Sequence, residues 1–141
     1  MKKGRISVID RHFTENVQDP ESGELRTSCL IGVDGGSIVI RYHETLEEVN
    51  DCETCLMINK GRITMIRSGR YSTSMIFENG RRHICCYDTP LGEIMIGVYT
   101  NAMFIDFDEN GGVMDFAYTI DSAGDLISEN ELKITVETED N

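Results

Sequence analysis

Alternation of apolar and polar residues is the dominant pattern of this chain. From residue 62 to residue 136, short segments with a period of two follow one another, separated by turns that contain glycine. This period is typical of β-strands, and no segment there has the 3.6-residue period of a helix. Because parallel strands need long crossover connections, usually helices, the pattern predicts one continuous antiparallel meander.

The N-terminal part of the chain continues this pattern. Asp34-Gly35-Gly36 predicts a hairpin turn, residues 16–23 predict a polar loop, and residues 46–51 predict a loop or an edge. We expect an all-β meander of about 8–10 strands that closes into a barrel, whose interior can hold a ligand. The predicted strands lie at residues 4–15, 24–33, 37–45, 52–59, 62–67, 71–78, 81–88, 93–100 with a continuation at 103–108, 113–121 and 131–136.

Several of these strands carry apolar residues on both faces. Met103, Ile105 and Phe107 alternate with Phe104, for example, which a sheet with one solvated face does not need. This pattern indicates a barrel with a filled interior and a partly covered outer surface. The cover is either the long N-terminal strand or a second copy of the protein.

Length and composition indicate one domain, at residues 1–137, followed by an acidic tail at residues 138–141 that we expect to fray. Hydrophobic residues make up 40% of the 141 residues, enough for a sizeable core. No run of 18 apolar residues is present to span a membrane, and the N-terminus lacks the apolar stretch of a secretory signal. We therefore expect a cytoplasmic protein that does not bind membranes.

The net charge of −12 argues against non-specific binding to nucleic acid or anionic lipid. The charge is uneven, because residues 60–83 hold six basic residues and one acidic residue, net +5. That segment is either a patch for a small anion or an acidic partner, or a set of arginines paired with carboxylates on neighbouring strands. We favour the second interpretation, because cross-strand charge pairs are common.

No motif for catalysis, a cofactor or a metal is evident. Cys52 and Cys55 have the spacing of zinc ligands, but no second pair follows, and a strand would place them on opposite faces. Nucleophile elbows, phosphate loops and dinucleotide fingerprints are absent from the sequence. We expect no enzyme activity, no cofactor, no bound metal and five free thiols.

Arg67 is the most informative polar residue, because it follows Ile63 and Met65 on one strand face. If those two residues point into the barrel, Arg67 does so as well. Tyr71 and Tyr87 then share the interior with it, and an arginine near tyrosines would be a polar anchor in an apolar cavity. In the alternative interpretation, Arg67 closes the barrel end structurally, paired with a carboxylate or with loop carbonyls.

Three short motifs carry a resemblance to a known family: Arg67-Ser68-Gly69, Met75-Ile76-Phe77 and the segment from Tyr87 to Gly92. In their order and spacing, the chain resembles the YwiB family of small bacterial proteins, and the similarity extends to Arg41-Tyr42, Tyr118 and Leu132-Lys133-Ile134. The resemblance implies a calycin-like (lipocalin-like) β-barrel. It implies no activity, because the family has none established.

Two hypotheses for the function follow. In the first, the barrel binds a small, partly apolar or anionic ligand without catalysis, with Arg67, Tyr71, Tyr87 and Arg41 as candidate contacts. In the second, a barrel filled by its own side chains is a structural or interaction module that acts as a homodimer. An interior cavity of roughly 300 Å³ or more would favour the first hypothesis.

Overall fold

The computed structural model describes residues 1–13, 21–46, 50–69 and 72–139. Ten strands account for most of these residues, and no helix that could cross a membrane occurs among them. The strands are β1 (Lys2–Phe13), β2 (Glu21–Asp34), β3 (Ser37–Leu46), β4 (Asn50–Asn59), β5 (Arg62–Ser68), β6 (Thr73–Glu78), β7 (Arg82–Thr89), β8 (Gly92–Asp108), β9 (Gly111–Ser122) and β10 (Asp125–Thr138).

The strands form a closed antiparallel barrel in which each strand pairs with its neighbours in sequence. β1 closes the barrel by pairing with β10, from Gly4 opposite Thr138 to Phe13 opposite Glu129. The predicted all-β meander and its closure are therefore confirmed. The predicted hairpin between β2 and β3 is also present, with φ values of 59° at Gly35 and 86° at Gly36. Two positive φ values are what a type I′ turn requires.

The core fills much of the barrel interior. Phe77 lies at its centre, with its ring centroid 4.7 Å from those of Phe116 and Tyr118. Ile63 and Met65 on β5 are buried, so the condition for an inward Arg67 is met, and Phe77 on β6 is buried beside them. The other fully buried side chains of large volume are Ile6, Ile31, Ile40, Leu56, Val98, Met114 and Ile134.

β8 spans the two segments predicted as one strand and its continuation. Its register against β9 shifts between Thr100 and Ala102. Before the shift the even-numbered Val98 is buried, and after it the odd-numbered Met103 and Ile105 pack against the core. An extra residue in one strand changes which alternate positions face inward. Both halves of β8 can therefore contribute to one core.

The N-terminal strand does not cover the outer surface, so this part of the prediction is wrong. β1 pairs with both β10 and β2 and so forms part of the barrel wall. Its apolar residues Ile6 and Val8 point into the core instead. On the outer faces of β7 and β8, Ile84, Met95 and Phe104 are exposed, with Met95 at 61%.

The C-terminal ladder extends two residues into the segment that we expected to fray. β10 runs to Thr138, and the Glu139 N–H donates a 2.9 Å hydrogen bond to the Lys3 carbonyl oxygen. Residues 140–141 lie outside the described residues.

Three arginines of the basic segment are paired with carboxylates. Arg62 Nη2 lies 3.3 Å from Glu78 Oε1, and Arg81 Nε lies 3.9 Å from the same atom. Arg82 reaches across β8 to Asp121 on β9, with an Nη2–Oδ1 distance of 2.6 Å. For these three residues, the predicted pairing with neighbouring carboxylates is confirmed.

Candidate functional site

A cavity of about 500 Å³ lies inside one end of the barrel. Its volume falls within the range of roughly 300–1,000 Å³ that is typical of small-molecule sites. Apolar and polar side chains line it together: Asp10, His12, Cys52, Met65, Arg67, Thr73, Met75, Tyr87, Asp88, Thr89, Pro90, Tyr118, Ile120 and Leu132. The interior of this barrel is therefore packed in its middle and hollow at one end.

Two opposed walls enclose the cavity. One is built from β4 to β7 and contributes Met65, Arg67 and Met75, and the other is built from β1, β10 and β9 and contributes Asp10, Leu132 and Tyr118. Because side chains alternate along a strand, most lining residues lie at every second position of their strand. The end of β7 is the exception, since Tyr87, Asp88 and Thr89 line the cavity in succession. The β7–β8 turn at Thr89 and Pro90 forms part of the rim.

Arg67 lies in the cavity wall, where the period-two pattern placed it. The residue is partly buried, and its Nε atom is fully buried. The charge of Arg67 also acts on Tyr118, which lines the same cavity. Burial raises the pKa of the Tyr118 hydroxyl to about 12, the positive charge of Arg67 lowers this pKa in part, and the negative charge of Asp10 raises it further. Burial dominates because removing a phenolate from water disfavours the charged form.

Of the other three predicted ligand contacts, one lines the same cavity as Arg67. Tyr87 lines the cavity and is 39% exposed, at its rim. Tyr71 lies outside the described residues. Arg41 is exposed on the face of β3 opposite to that of buried Tyr42, and it lines a separate groove of about 660 Å³ with Lys3 and Glu53. Arg41 therefore does not share the interior cavity, because the strand pleat directs it outward.

A polar network on the second cavity wall was not predicted. His12 Nε2 lies 3.2 Å from Asp10 Oδ2, and His12 Nδ1 is hydrogen-bonded to Asn130 Oδ1. Asn130 is almost completely buried, and its Nδ2 donates to Ser128 Oγ at 3.0 Å. Both ring nitrogens of His12 thus face side-chain oxygens. A signal was present in the sequence, because Asp10 and His12 continue the inward period of Ile6 and Val8.

A glycine leaves room for this network. Gly23 on β2 lies opposite Asp10 on β1, and a Cβ atom at that position would lie 2.5 Å from Asp10 Oδ1. Real Cβ atoms do not approach an oxygen so closely, so any side chain at residue 23 would displace the carboxylate. The local sequence thus helps to fix Asp10 at the cavity wall.

The inner face also carries a row of polar residues across five strands. Tyr42, Thr54, Arg67, Thr73 and Tyr87 lie opposite one another in register from β3 to β7. Thr54 is completely buried, and its hydroxyl finds no hydrogen-bond partner among the described residues. Buried polar groups without partners are uncommon in native proteins. Three members of this row, Arg67, Thr73 and Tyr87, line the cavity.

The cysteines are free thiols in different environments. Cys52 lines the cavity, whereas Cys55 lies on the other face of β4, as the alternation with buried Thr54 and Leu56 requires. The predicted placement of the CxxC pair on opposite faces is confirmed. Cys85 is buried on β7, and burial raises the pKa of its thiol, as it does for Cys29 on β2.

Comparison with known proteins gives a family and a fold. The protein described as "Uncharacterized beta-barrel protein YwiB", from Bacillus subtilis (strain 168), is 24% identical over 132 residues, which cover 94% of this chain and 92% of that protein. The crystal structure of ywiB protein from Bacillus subtilis has the same fold, with a TM-score of 0.80 at 21% sequence identity, covering 99% of this chain and 95% of that chain.

These matches confirm the resemblance inferred from the short motifs. The model of the family described as "Domain of unknown function (DUF1934)" matches residues 6–134, which include β2 to β9 in full and most of β1 and β10. This β-barrel chain therefore belongs to the DUF1934 family.

Proposed function

We propose that this protein binds a small, partly apolar molecule in the cavity at one end of its barrel. The observation that carries the proposal is the cavity itself, about 500 Å³ in volume, with apolar walls and a few polar groups. Most small-molecule sites combine an apolar lining with a small number of placed polar groups. A barrel that served only as a rigid scaffold would have no need for this space in its interior.

The lining suggests how such a ligand would lie. Met65, Met75 and Leu132 offer apolar surface for the body of the ligand, and Arg67 and Tyr87 offer hydrogen bonds to a polar or anionic group. Arg67 is well suited to that group, because the planar guanidinium matches a carboxylate or a sulfonate with two parallel donors.

We further propose that the role is binding rather than catalysis. His12 is the residue at the cavity that would best serve as a general base. Its two ring nitrogens already face Asp10 and Asn130, so neither is directed at the Cys52 thiol. A nucleophile pair needs that contact within hydrogen-bond reach.

The proposal can be tested with 1-anilinonaphthalene-8-sulfonate, a probe with an apolar body and one anionic group. We expect saturable one-to-one binding to the folded protein, followed by its fluorescence. Arg67→Met should weaken binding about tenfold or more, because a charged hydrogen bond contributes about 1.5–3 kcal/mol. Arg62→Met is the matched control, since Arg62 lies on the same strand but pairs with Glu78 on the outer face.

The same titration can contradict the proposal. No saturable binding, or equal losses of affinity in the Arg67→Met and Arg62→Met variants, would place the probe outside the cavity. Thermal unfolding of both variants separates a loss of binding from a loss of folding.

A second candidate function, association with another copy of this chain, rests on the outer apolar residues. Ile84 and Met95 lie on adjacent strands and are 53% and 61% exposed, and Tyr99 lies two alternate positions beyond Met95. Exposed apolar groups that cluster in this way are typical of interaction surfaces. Light scattering after size exclusion tests it: Met95→Lys should convert a dimer to a monomer, while Ser28→Lys on β2 should not. A wild-type monomer at high concentration would overturn this candidate.

A further inference from the structure

The barrel has one weak seam, between β6 and β7. Among the described residues, these strands share a single register pair, Thr73 opposite Tyr87. Every other neighbouring pair of strands shares at least six, for example the pairs from Arg62–Glu78 to Arg67–Thr73 between β5 and β6. A short turn at Asn79 and Gly80 joins β6 to β7, yet the two strands do not form an ordinary hairpin ladder.

The strand β8 explains part of this separation. The Gly80 N–H donates to the Thr100 carbonyl oxygen at 2.7 Å, and the Thr100 N–H donates to the Arg81 carbonyl oxygen at 3.4 Å. The Gly80 N–H and the Arg81 carbonyl, which lie at the turn between β6 and β7, are therefore hydrogen-bonded to β8 and not to each other's strand. A β-strand edge without ladder partners is a place where a sheet opens at low cost.

Side chains hold the remainder of the seam together. His83 Nε2 on β7 lies 3.1 Å from Glu78 Oε1 on β6 and so bridges the two strands. At the other end, the Asp88 N–H donates to the Ser72 carbonyl oxygen at 3.2 Å. These bridges replace the regular ladder that supports the other seams.

The seam borders the cavity. Thr73 and Tyr87, the one paired position, both line the cavity, and Met75 extends its wall along β6. We propose that the seam between β6 and β7 is the entrance of the cavity, so that a ligand passes sideways through the barrel wall when these strands separate. This inference rests on the proposed function, and it adds the route by which the same site is filled.

Opening at any other seam would break a ladder of six or more register pairs, whereas opening here breaks one pair and a few bridges. Local openings in proteins follow the elements with the fewest such interactions. Tyr87 is central to the route, because it forms the one register pair between β6 and β7 and also lies at the cavity rim. The competing route runs through the barrel end.

Buried Cys85 reports opening of the seam without any ligand. N-ethylmaleimide should modify Cys85 at least about tenfold faster than Cys29, which is equally buried but lies on a strand with full ladders on both sides. The measurement uses a Cys86→Ser variant, so that the label at Cys85 is assigned unambiguously by peptide mass mapping. Modification of Cys29 as fast as, or faster than, that of Cys85 would overturn the proposal.

A crosslink tests the route itself. Ser74 follows Thr73 on β6 and exposed Cys86 precedes Tyr87 on β7, so the two residues flank the one paired position, and oxidation of a Ser74→Cys variant would tie β6 to β7 there. We expect oxidation to slow both association and dissociation of 1-anilinonaphthalene-8-sulfonate by at least about tenfold, with little change in equilibrium affinity. The control ties β1 to β2 with Ser7→Cys and Arg26→Cys, which face each other in a full ladder.

The outcomes separate this inference from the proposed function. Unchanged rates in the oxidised Ser74→Cys variant would overturn sideways entry and leave the binding site intact. Absence of binding to the reduced protein would overturn the proposed function, and with it the entrance. Cys85 labelling would then still establish whether the seam opens.

Discussion

Thr54 carries a polar group in a place where nothing among the described residues satisfies it. Its hydroxyl is completely buried with no hydrogen-bond partner among the described residues. Leaving a buried hydroxyl without a partner costs about 1–3 kcal/mol. Thr54→Val replaces the hydroxyl with a methyl group of similar size, so we expect the free energy of unfolding to rise by about 1 kcal/mol, measured by denaturant titration.

Thr64→Val on the outer face of β5 is the control for this change, because any gain from strand propensity should occur there as well. We expect it to change the free energy of unfolding by less than about 0.5 kcal/mol. A loss of stability in Thr54→Val would mean that the hydroxyl makes a hydrogen bond in the folded protein.

The Tyr118 hydroxyl should titrate well above the ordinary pKa of a tyrosine. Its pKa is raised to about 12 from an ordinary value of 10.0, mainly by burial. Because the pKa is higher in the folded protein than in the unfolded chain, the protonated hydroxyl stabilises the fold. That contribution is complete below pH 10 and is lost as the pH rises towards 12. Absorbance of tyrosinate should show a late contribution that Tyr118→Phe removes; a Tyr118 transition near pH 10 would contradict the buried position.

On the outer wall, three strands are joined by one ion pair that depends on a glycine. The Arg82 guanidinium lies over Gly97 of β8 on its way to Asp121 of β9, and a Cβ atom at residue 97 would lie 2.3 Å from Arg82 Nη2. The hydrogen bond from Arg82 is the main cause that lowers the pKa of Asp121. Gly97→Ala should therefore displace Arg82 and return the pKa of Asp121 towards its ordinary value.

Two measurements check this prediction. In carboxyl NMR titrations, Gly97→Ala and Arg82→Met should raise the pKa of Asp121 alike, and the double variant should raise it no further. The stability from this pair is present above the unfolded pKa of Asp121 and is lost as the pH falls through the lowered folded value. The acid slope of stability should thus be shallower in both variants. An unchanged Asp121 pKa in Gly97→Ala would show that Arg82 can reach Asp121 even when residue 97 carries a side chain.

The elements were predictable because each local signal agreed with the others. The inward set of Ile63, Met65 and Phe77 follows directly from a period of two, and the Asp34-Gly35-Gly36 turn follows from the φ values that type I′ requires. The weak β6–β7 seam was not predictable. It depends on the Thr100 backbone of β8 reaching the Asn79–Arg81 turn, a contact between segments about twenty residues apart.

The candidate site was predictable only in part for a similar reason. Arg67 and Tyr87 were found because the period of their strands directs them inward. The Asp10–His12–Asn130 network combines residues from the two ends of the chain, and only the closure of β1 onto β10 brings them together. Arg41, also a candidate contact, alternates with buried Tyr42 and therefore lies outside this cavity.

For the whole molecule, the central claim is that the hollow end of this barrel is a binding site. The most direct measurement is native mass spectrometry of the protein purified from its own host. We expect a species heavier than the 15.9 kDa chain by the mass of one small molecule, and the bare chain after denaturation. In the Arg67→Met variant, the fraction of this heavier species should fall. Protein that carries no added mass, and that also fails to bind 1-anilinonaphthalene-8-sulfonate, would contradict the account.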